Sequence, residues 1–194
     1  MTTVVNVHPK PAKPTVAPPT YCQFSLSAPL SATGTSLLWY GPGVTAAYSV
    51  APTPSTSVAG VTTYYVTQTS VPWGCVSDSA TIPVTIIAKP APPVVADTMY
   101  CQYFNAPALT AIGSNLKWYT GTGTLLGSAP IPSTISVGVT TWYVSQTVNG
   151  CESDKAPISV TIIFKPDFTI AGRVKVCQFD TLTLRYNGPS MVGP

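Results

Sequence analysis

Five cysteines, one histidine and six acidic residues are the side chains of this sequence whose types can do chemistry. Nucleophilic catalysis needs a base beside the nucleophile and a third group to orient that base. His8, the only histidine, stands in a terminal segment with no evident nucleophile or acid to serve. The carboxylates are Asp78, Asp97, Glu152, Asp154, Asp167 and Asp180. Glycoside hydrolysis would need two of them facing each other across a cleft, which small β domains do not provide. Glu152-Ser153-Asp154 is the acidic cluster that could join backbone carbonyls around calcium. Val76 stands at the place of Glu152 in the equivalent copy described below, so a solvated hairpin turn is the simpler reading. One histidine and no close cysteine pair leave no zinc pattern. The expectation is a chain with no catalytic residue, no metal and no cofactor.

The elements that position the cysteines come from an internal repeat. Tyr21 to Tyr40 (YCQFSLSAPLSATGTSLLWY) returns at Tyr100 to Tyr119 as YCQYFNAPALTAIGSNLKWY. VTTYYVTQTSVPWGCVSDSA, from Val61, returns from Val139 as VTTWYVSQTVNGCESDKA, and SATIPVTIIAKP returns as KAPISVTIIFKP. The offset is 79 residues at Cys22 and Cys101 and falls to 76 at Cys75 and Cys151. Loops lost the difference, as a shared fold predicts. Thr2 to Pro11 has the shape of the closing strand of a copy, and Val174 to Leu184 that of an opening. The expected domains are 1–11 as the closing strand of a preceding repeat, 12–90 and 91–166 as two whole repeats, and 167–194 as the start of a third, truncated repeat.

Composition sets the class. Charged residues are 8% of the chain and hydrophobic ones 45%, with 21 Pro and 14 Gly. Helix formers such as Glu and Lys are scarce, whereas Val, Ile, Tyr and Trp suit a pleated, half-buried surface. Leu37-Leu38-Trp39 becomes Leu116-Lys117-Trp118 in the second copy, and Lys117 faces water. Leu37, Trp39, Leu116 and Trp118 are therefore expected inside. Ile158, Val160 and Ile162 alternate inward, and the pairs Leu30/Ala32 and Leu109/Ala111 join them. Tyr64, Val66, Trp142 and Val144 are placed inside as well. Six or seven short strands per repeat, separated by Gly, Pro and Asn-Gly turns, predict an all-β fold. The architecture expected is tandem immunoglobulin-like β-sandwich domains in a beads-on-a-string array.

A repeat of this size has a limited core, which two cysteines can supplement. Repetition makes within-repeat pairing the simple choice, so Cys22–Cys75 and Cys101–Cys151 are the expected disulfides. Closing loops of that length would stabilise by roughly 4 kcal/mol in chain entropy. Cys151 follows the Asn149-Gly150 turn, so the bridge is placed at one end of the sandwich. Cys177 is the odd cysteine, with its expected partner beyond Pro194. Disulfides point to an oxidising, extracellular setting.

Other partners are constrained too. The net charge of +3 is spread near the repeat junctions, and no Lys/Arg block interleaved with aromatics suggests nucleic acid. No apolar run approaches the roughly 18 residues of a membrane helix, so membrane insertion is not expected. Met1 is followed by polar TTVVNV and not by a basic stretch and apolar core, which reads as a chain without a signal peptide. With oxidised cysteines, that reads as a fragment of a longer secreted protein.

The pattern YCQ…LSATG…LLWY…PTPSTSVAGVTTYYVTQT…GC.S…IPVTI, present twice, resembles the Ig-like tandem repeats of very large cell-surface adhesins of Bacteroidota. Those include adhesins exported by the type IX system and linked to gliding motility. The resemblance implies a stalk or filament outside the cell, carries no catalytic residues, and leaves the export route to a sorting domain absent here. A weaker resemblance is to the O-glycosylation motif of that phylum, an Asp-Ser or Asp-Thr before an apolar residue. It implies Ser79, Thr98 and Thr181 as acceptors. The alternative is that Asp-Ser and Asp-Thr simply favour turns.

Trp39, Trp118 and Trp142 recur at strand positions and read as core. Trp73 lies in the Val71-Pro72-Trp73-Gly74 insertion, absent from the second copy, and reads either as an exposed contact residue or as a cover for the disulfide. The leading functional expectation is a structural stalk or spacer of a secreted or cell-surface repeat adhesin, with neighbouring repeats of the same chain as partners. The alternatives are a module binding surface polysaccharide or another cell, and spacer domains of a secreted hydrolase.

Overall fold

A computed structural model describes residues 6–43 and 46–165. By its contacts the chain forms two compact units, Met1–Pro92 with Ser145–Asp154, and Pro93–Val144 with Lys155–Pro194. All regular elements among the described residues are strands, and no helix there is long and apolar enough to cross a membrane.

In the first unit, β1 (Thr15–Val16) pairs antiparallel with β3 (Ala32–Thr33). A four-stranded sheet opposes that pair in the order β2 (Thr20–Cys22), β6 (Ala80–Ile87), β5 (Gly60–Thr67), β4 (Leu38–Tyr40). β2 runs parallel to the end of β6, with Cys22 opposite Ile87, and the other pairs are antiparallel. The chain thus enters on one layer, crosses to the other, and closes on a long hairpin, as an immunoglobulin-like sandwich does. Pro83 is tolerated inside β6 because β2 pairs only from Thr85 onward, leaving the strand open on that side there.

The second unit repeats the plan. Its sheet order is β7 (Thr98–Cys101), β13 (Ala156–Ile163), β10 (Gly138–Ser145), β8 (Lys117–Tyr119), β9 (Leu125–Leu126). β7 runs parallel to the end of β13, with Cys101 opposite Ile163. The hairpin β11 (Thr147–Val148) and β12 (Cys151–Glu152) sits between β10 and β13 in sequence but is counted with the first unit.

The expected inward faces are the ones found. Leu30, Trp39, Tyr64, Val66, Ile82, Val84 and Ile86 form one core, with Ala32 and Leu37 packed against it. Leu109, Trp118, Val144, Ile158, Val160 and Ile162 form the other, with Ala111, Leu116 and Trp142 against it. Lys117 is exposed, as period-two alternation requires. Asn6–His8, which match Thr85–Ile87 of the closing strand β6, are not in a strand. The segment read as a third repeat, 167–194, lies outside the described residues.

Candidate functional site: the cysteines and the repeat junction

Each repeat builds two cysteine positions, and both copies build them alike. The first cysteine ends the strand parallel to the closing strand. After Cys22, Gln23 N donates to Ile87 O (2.8 Å) and Ser25 N to Cys22 O (3.1 Å). After Cys101, Gln102 N donates to Ile163 O (2.8 Å) and Phe104 N to Cys101 O (3.1 Å). Phe24 (φ 65) and Tyr103 (φ 64) are both in the left-handed region. Gln23 Nε2 donates to Ser57 O (2.9 Å) and Gln102 Nε2 to Ile135 O (2.7 Å).

The second cysteine sits in the turn between the two longest strands. Thr69 is bridged to Val76 and Ser70 N donates to Cys75 O (2.9 Å). Val148 faces Cys151 and Thr147 faces Glu152 in the other copy. There the turn is the two-residue Asn149-Gly150, both at positive φ (51° and 80°), the geometry a tight hairpin of this twist selects.

The disulfide joins Cys22 to Cys151, with Cα atoms 5.6 Å apart and 129 residues between them in sequence. Cys75 and Cys101 are free thiols. This corrects the within-repeat pairings Cys22–Cys75 and Cys101–Cys151. Cys22 lies level with Ile87 at the end of β6, whereas Cys75 precedes the start of that strand. The seven steps of β6 separate the two ends by roughly 23 Å, far beyond the roughly 4.4–6.8 Å that a disulfide spans between Cα atoms. Cys101 holds the equivalent position in the second unit, level with Ile163 at the end of β13. The first cysteine of one repeat therefore bonds the hairpin cysteine of the following repeat. Cys177 lies outside the described residues.

Polar contacts flank the bond and also occur twice, all within the first unit. Lys89 pairs with Asp154 and Gln146 Nε2 donates to Ala91 O (2.8 Å). Ahead of the first repeat, Lys10 pairs with Asp78 and Gln68 Nε2 donates to Ala12 O (2.7 Å). Lys10 and Lys89, Ala12 and Ala91, Gln68 and Gln146, Asp78 and Asp154 are equivalent positions of the repeat. The Lys10 ammonium beside Asp78 holds its carboxyl below the usual aspartate value, by hydrogen bond first and charge second. Ser77 and Ser153, both buried, brace the two turns by accepting from Gln68 N and Gln146 N (3.0 Å each). Sequence reasoning missed this set, although the recurrence of Lys-Pro, Gln and Ser-Asp in both copies was its signal.

The remaining expected positions fall elsewhere. Trp73 is 60% exposed and stacks on His8 with ring centroids 3.8 Å apart, so it covers no disulfide. Ser79 is exposed. Thr98 is not an available acceptor in the folded chain, since its Oγ1 is buried in β7. Asp97 beside it accepts from Ser159 N (2.8 Å), a structural use of the Asp-Thr pair. Thr181 lies outside the described residues. Glu152 accepts from Ser145 Oγ (2.6 Å) and Asp154 is paired with Lys89, so the two carboxylates serve different partners. Among the described residues no three His, Cys, Asp or Glu side chains cluster as metal ligands.

No protein family matches this sequence, and no curated protein matches it. Solved structures with some likeness include the N-terminal Ig1-2 module of the Drosophila receptor protein tyrosine phosphatase DLAR, at 11% identity and a TM-score of 0.30, over 77% of this chain and 95% of that one. Sidekick-1 immunoglobulin domains 1–4 are similar at 14% identity and 0.28, over 80% and 52% of the two chains. Human mucin-like protocadherin EC1-2 is similar at 8% and 0.26, over 78% and 97%.

Proposed function

We propose that this chain is a non-catalytic structural segment of a secreted or cell-surface tandem array, in which the repeats space an adhesive region from the surface that displays it. The observation that carries this reading is the twice-built fastening of a Lys-Pro segment onto the turn of the repeat that follows it. Water and salt screen these exposed ion pairs, so the covalent bond at Cys22–Cys151 is the dominant tie. Pro-rich stretches at Lys10–Pro14 and Lys89–Pro93 add stiffness, because proline holds a linker extended. The disulfide supports an extracellular location. The resemblance to Bacteroidota adhesins supplies the setting of such an array, with type IX export and gliding motility as its further implications.

Exposed Trp73 favours one second reading, a polysaccharide- or cell-binding module contacted through that loop. Beads coated with the oxidised chain and offered to a polysaccharide array and to cell monolayers separate the two. A spacer gives no retention by the repeats themselves. Retention that disappears in Trp73→Ala would make the chain a binding module and remove the spacer reading.

A further inference from the structure

We propose that Cys75 and Cys101 are two halves of the same bond that joins Cys22 to Cys151, each built to take its partner from another copy of this repeat. The inference deepens the structural reading and rests on its tandem-array part. Cys101 repeats the Cys22 position in strand register, in the following left-handed residue and in the glutamine amide that braces it. Cys75 repeats the Cys151 position opposite the residue that ends the outgoing strand of the hairpin. The Lys–Asp pair and the Gln–carbonyl bond that accompany the formed bridge are already in place beside Cys75, on the segment Lys10–Ala12. The other cysteine of each thiol's own repeat is already taken, Cys22 and Cys151 by each other. The partner that fits Cys75 is a first-position cysteine of a preceding copy, and the one that fits Cys101 is a hairpin cysteine of a following copy.

The chemistry is thiol–disulfide exchange with a small disulfide such as oxidised glutathione. One thiolate attacks the small disulfide, forming a mixed disulfide and releasing one small thiol. The partner cysteine's thiolate then attacks the mixed disulfide and releases the second. Two protein thiols are oxidised to one disulfide while the small disulfide is reduced to two thiols.

The covalent topology that results has a consequence for a chain under tension. Cys101 lies inside the loop closed by Cys22 and Cys151, so the loop it opens begins before the previous one ends. Successive loops overlap, and unfolding of individual repeats then releases little length.

The test uses the full 194-residue chain with Cys177→Ser, concentrated in a glutathione redox buffer, with labelled and unlabelled chains mixed. The expected result is a ladder of disulfide-linked chains on non-reducing gels, with Cys75–Cys101 peptides joining labelled to unlabelled chains. Cys75→Ser and Cys101→Ser each lose the ladder while keeping Cys22–Cys151. Symmetric Cys75–Cys75 and Cys101–Cys101 bridges in the proportions of random pairing would overturn the proposal. So would chains that stay monomeric, or reshuffling to Cys22–Cys75. None of these outcomes alters the bead assay, so failure here leaves the spacer reading to stand or fall separately.

Discussion

A chain held by its two ends and stretched reports the cysteine pairing directly as length. Cys22 and Cys151 are 129 residues apart in sequence. At roughly 3.4 Å per extended residue their bond withholds roughly 440 Å of contour, whatever happens to the folds inside the loop. In a force-clamp measurement both repeats can unfold and the chain still stays short. Adding a small thiol then allows its thiolate to attack the stretched bond, and the whole roughly 440 Å is released in one step. Within-repeat pairing would instead give two steps, since Cys22–Cys75 and Cys101–Cys151 span 53 and 50 residues. Those steps would be roughly 180 and 170 Å. Cys151→Ser removes the thiol-dependent step altogether and lets the full contour pay out on unfolding. Two small steps in the native chain, or a surviving large thiol-dependent step in Cys151→Ser, would refute the assignment and with it the tension-bearing reading.

Other consequences follow from the cores and the junction. Ile82→Ala and Ile158→Ala, each at a nearly solvent-free position, should cost about 2–5 kcal/mol in urea unfolding. Exposed Val61→Ala on the neighbouring strand should cost less than about 0.5 kcal/mol. The Asp78 carboxyl, followed by NMR, should titrate below the ordinary aspartate value and return to it in Lys10→Ala. Because its folded value is depressed, the Lys10 tie is present above the ordinary aspartate range and is lost as pH falls through the folded value. An unshifted Asp78 would remove that tie from the junction. Glycopeptide mapping of protein from its native cells should find sugar on exposed Ser79 and none on Thr98, whose hydroxyl is buried. An unmodified Ser79 ends the glycosylation reading.

Much of the fold was legible because two copies of one sequence were available for comparison. The exchange of Leu38 for Lys117 alone identified the face of β4 and β8 that meets water, and the buried Trp39 and Trp118 follow from it. The inward face of β13 was legible from the alternation of Ile158, Val160 and Ile162. The parallel pairing of β2 with the end of β6 was not, because parallel partners leave no local turn signal. That pairing carries Cys22 to the opposite end from Cys75, which is why the within-repeat choice misassigned the bond. Thr98 failed as an acceptor for a related reason, since its strand is defined only by its long-range partner Val160. The Lys10–Asp78 and Lys89–Asp154 ties likewise join residues 68 and 65 positions apart.

The most direct measurement is disulfide mapping of the intact oxidised chain. Free thiols are first blocked with an alkylating reagent, and the protein is then digested without reduction and analysed by mass spectrometry. Among the described cysteines, the structure predicts for the monomeric chain linked peptides containing Cys22 and Cys151, with the alkyl label on Cys75 and Cys101. Linked peptides containing Cys22 with Cys75 and Cys101 with Cys151 would contradict it.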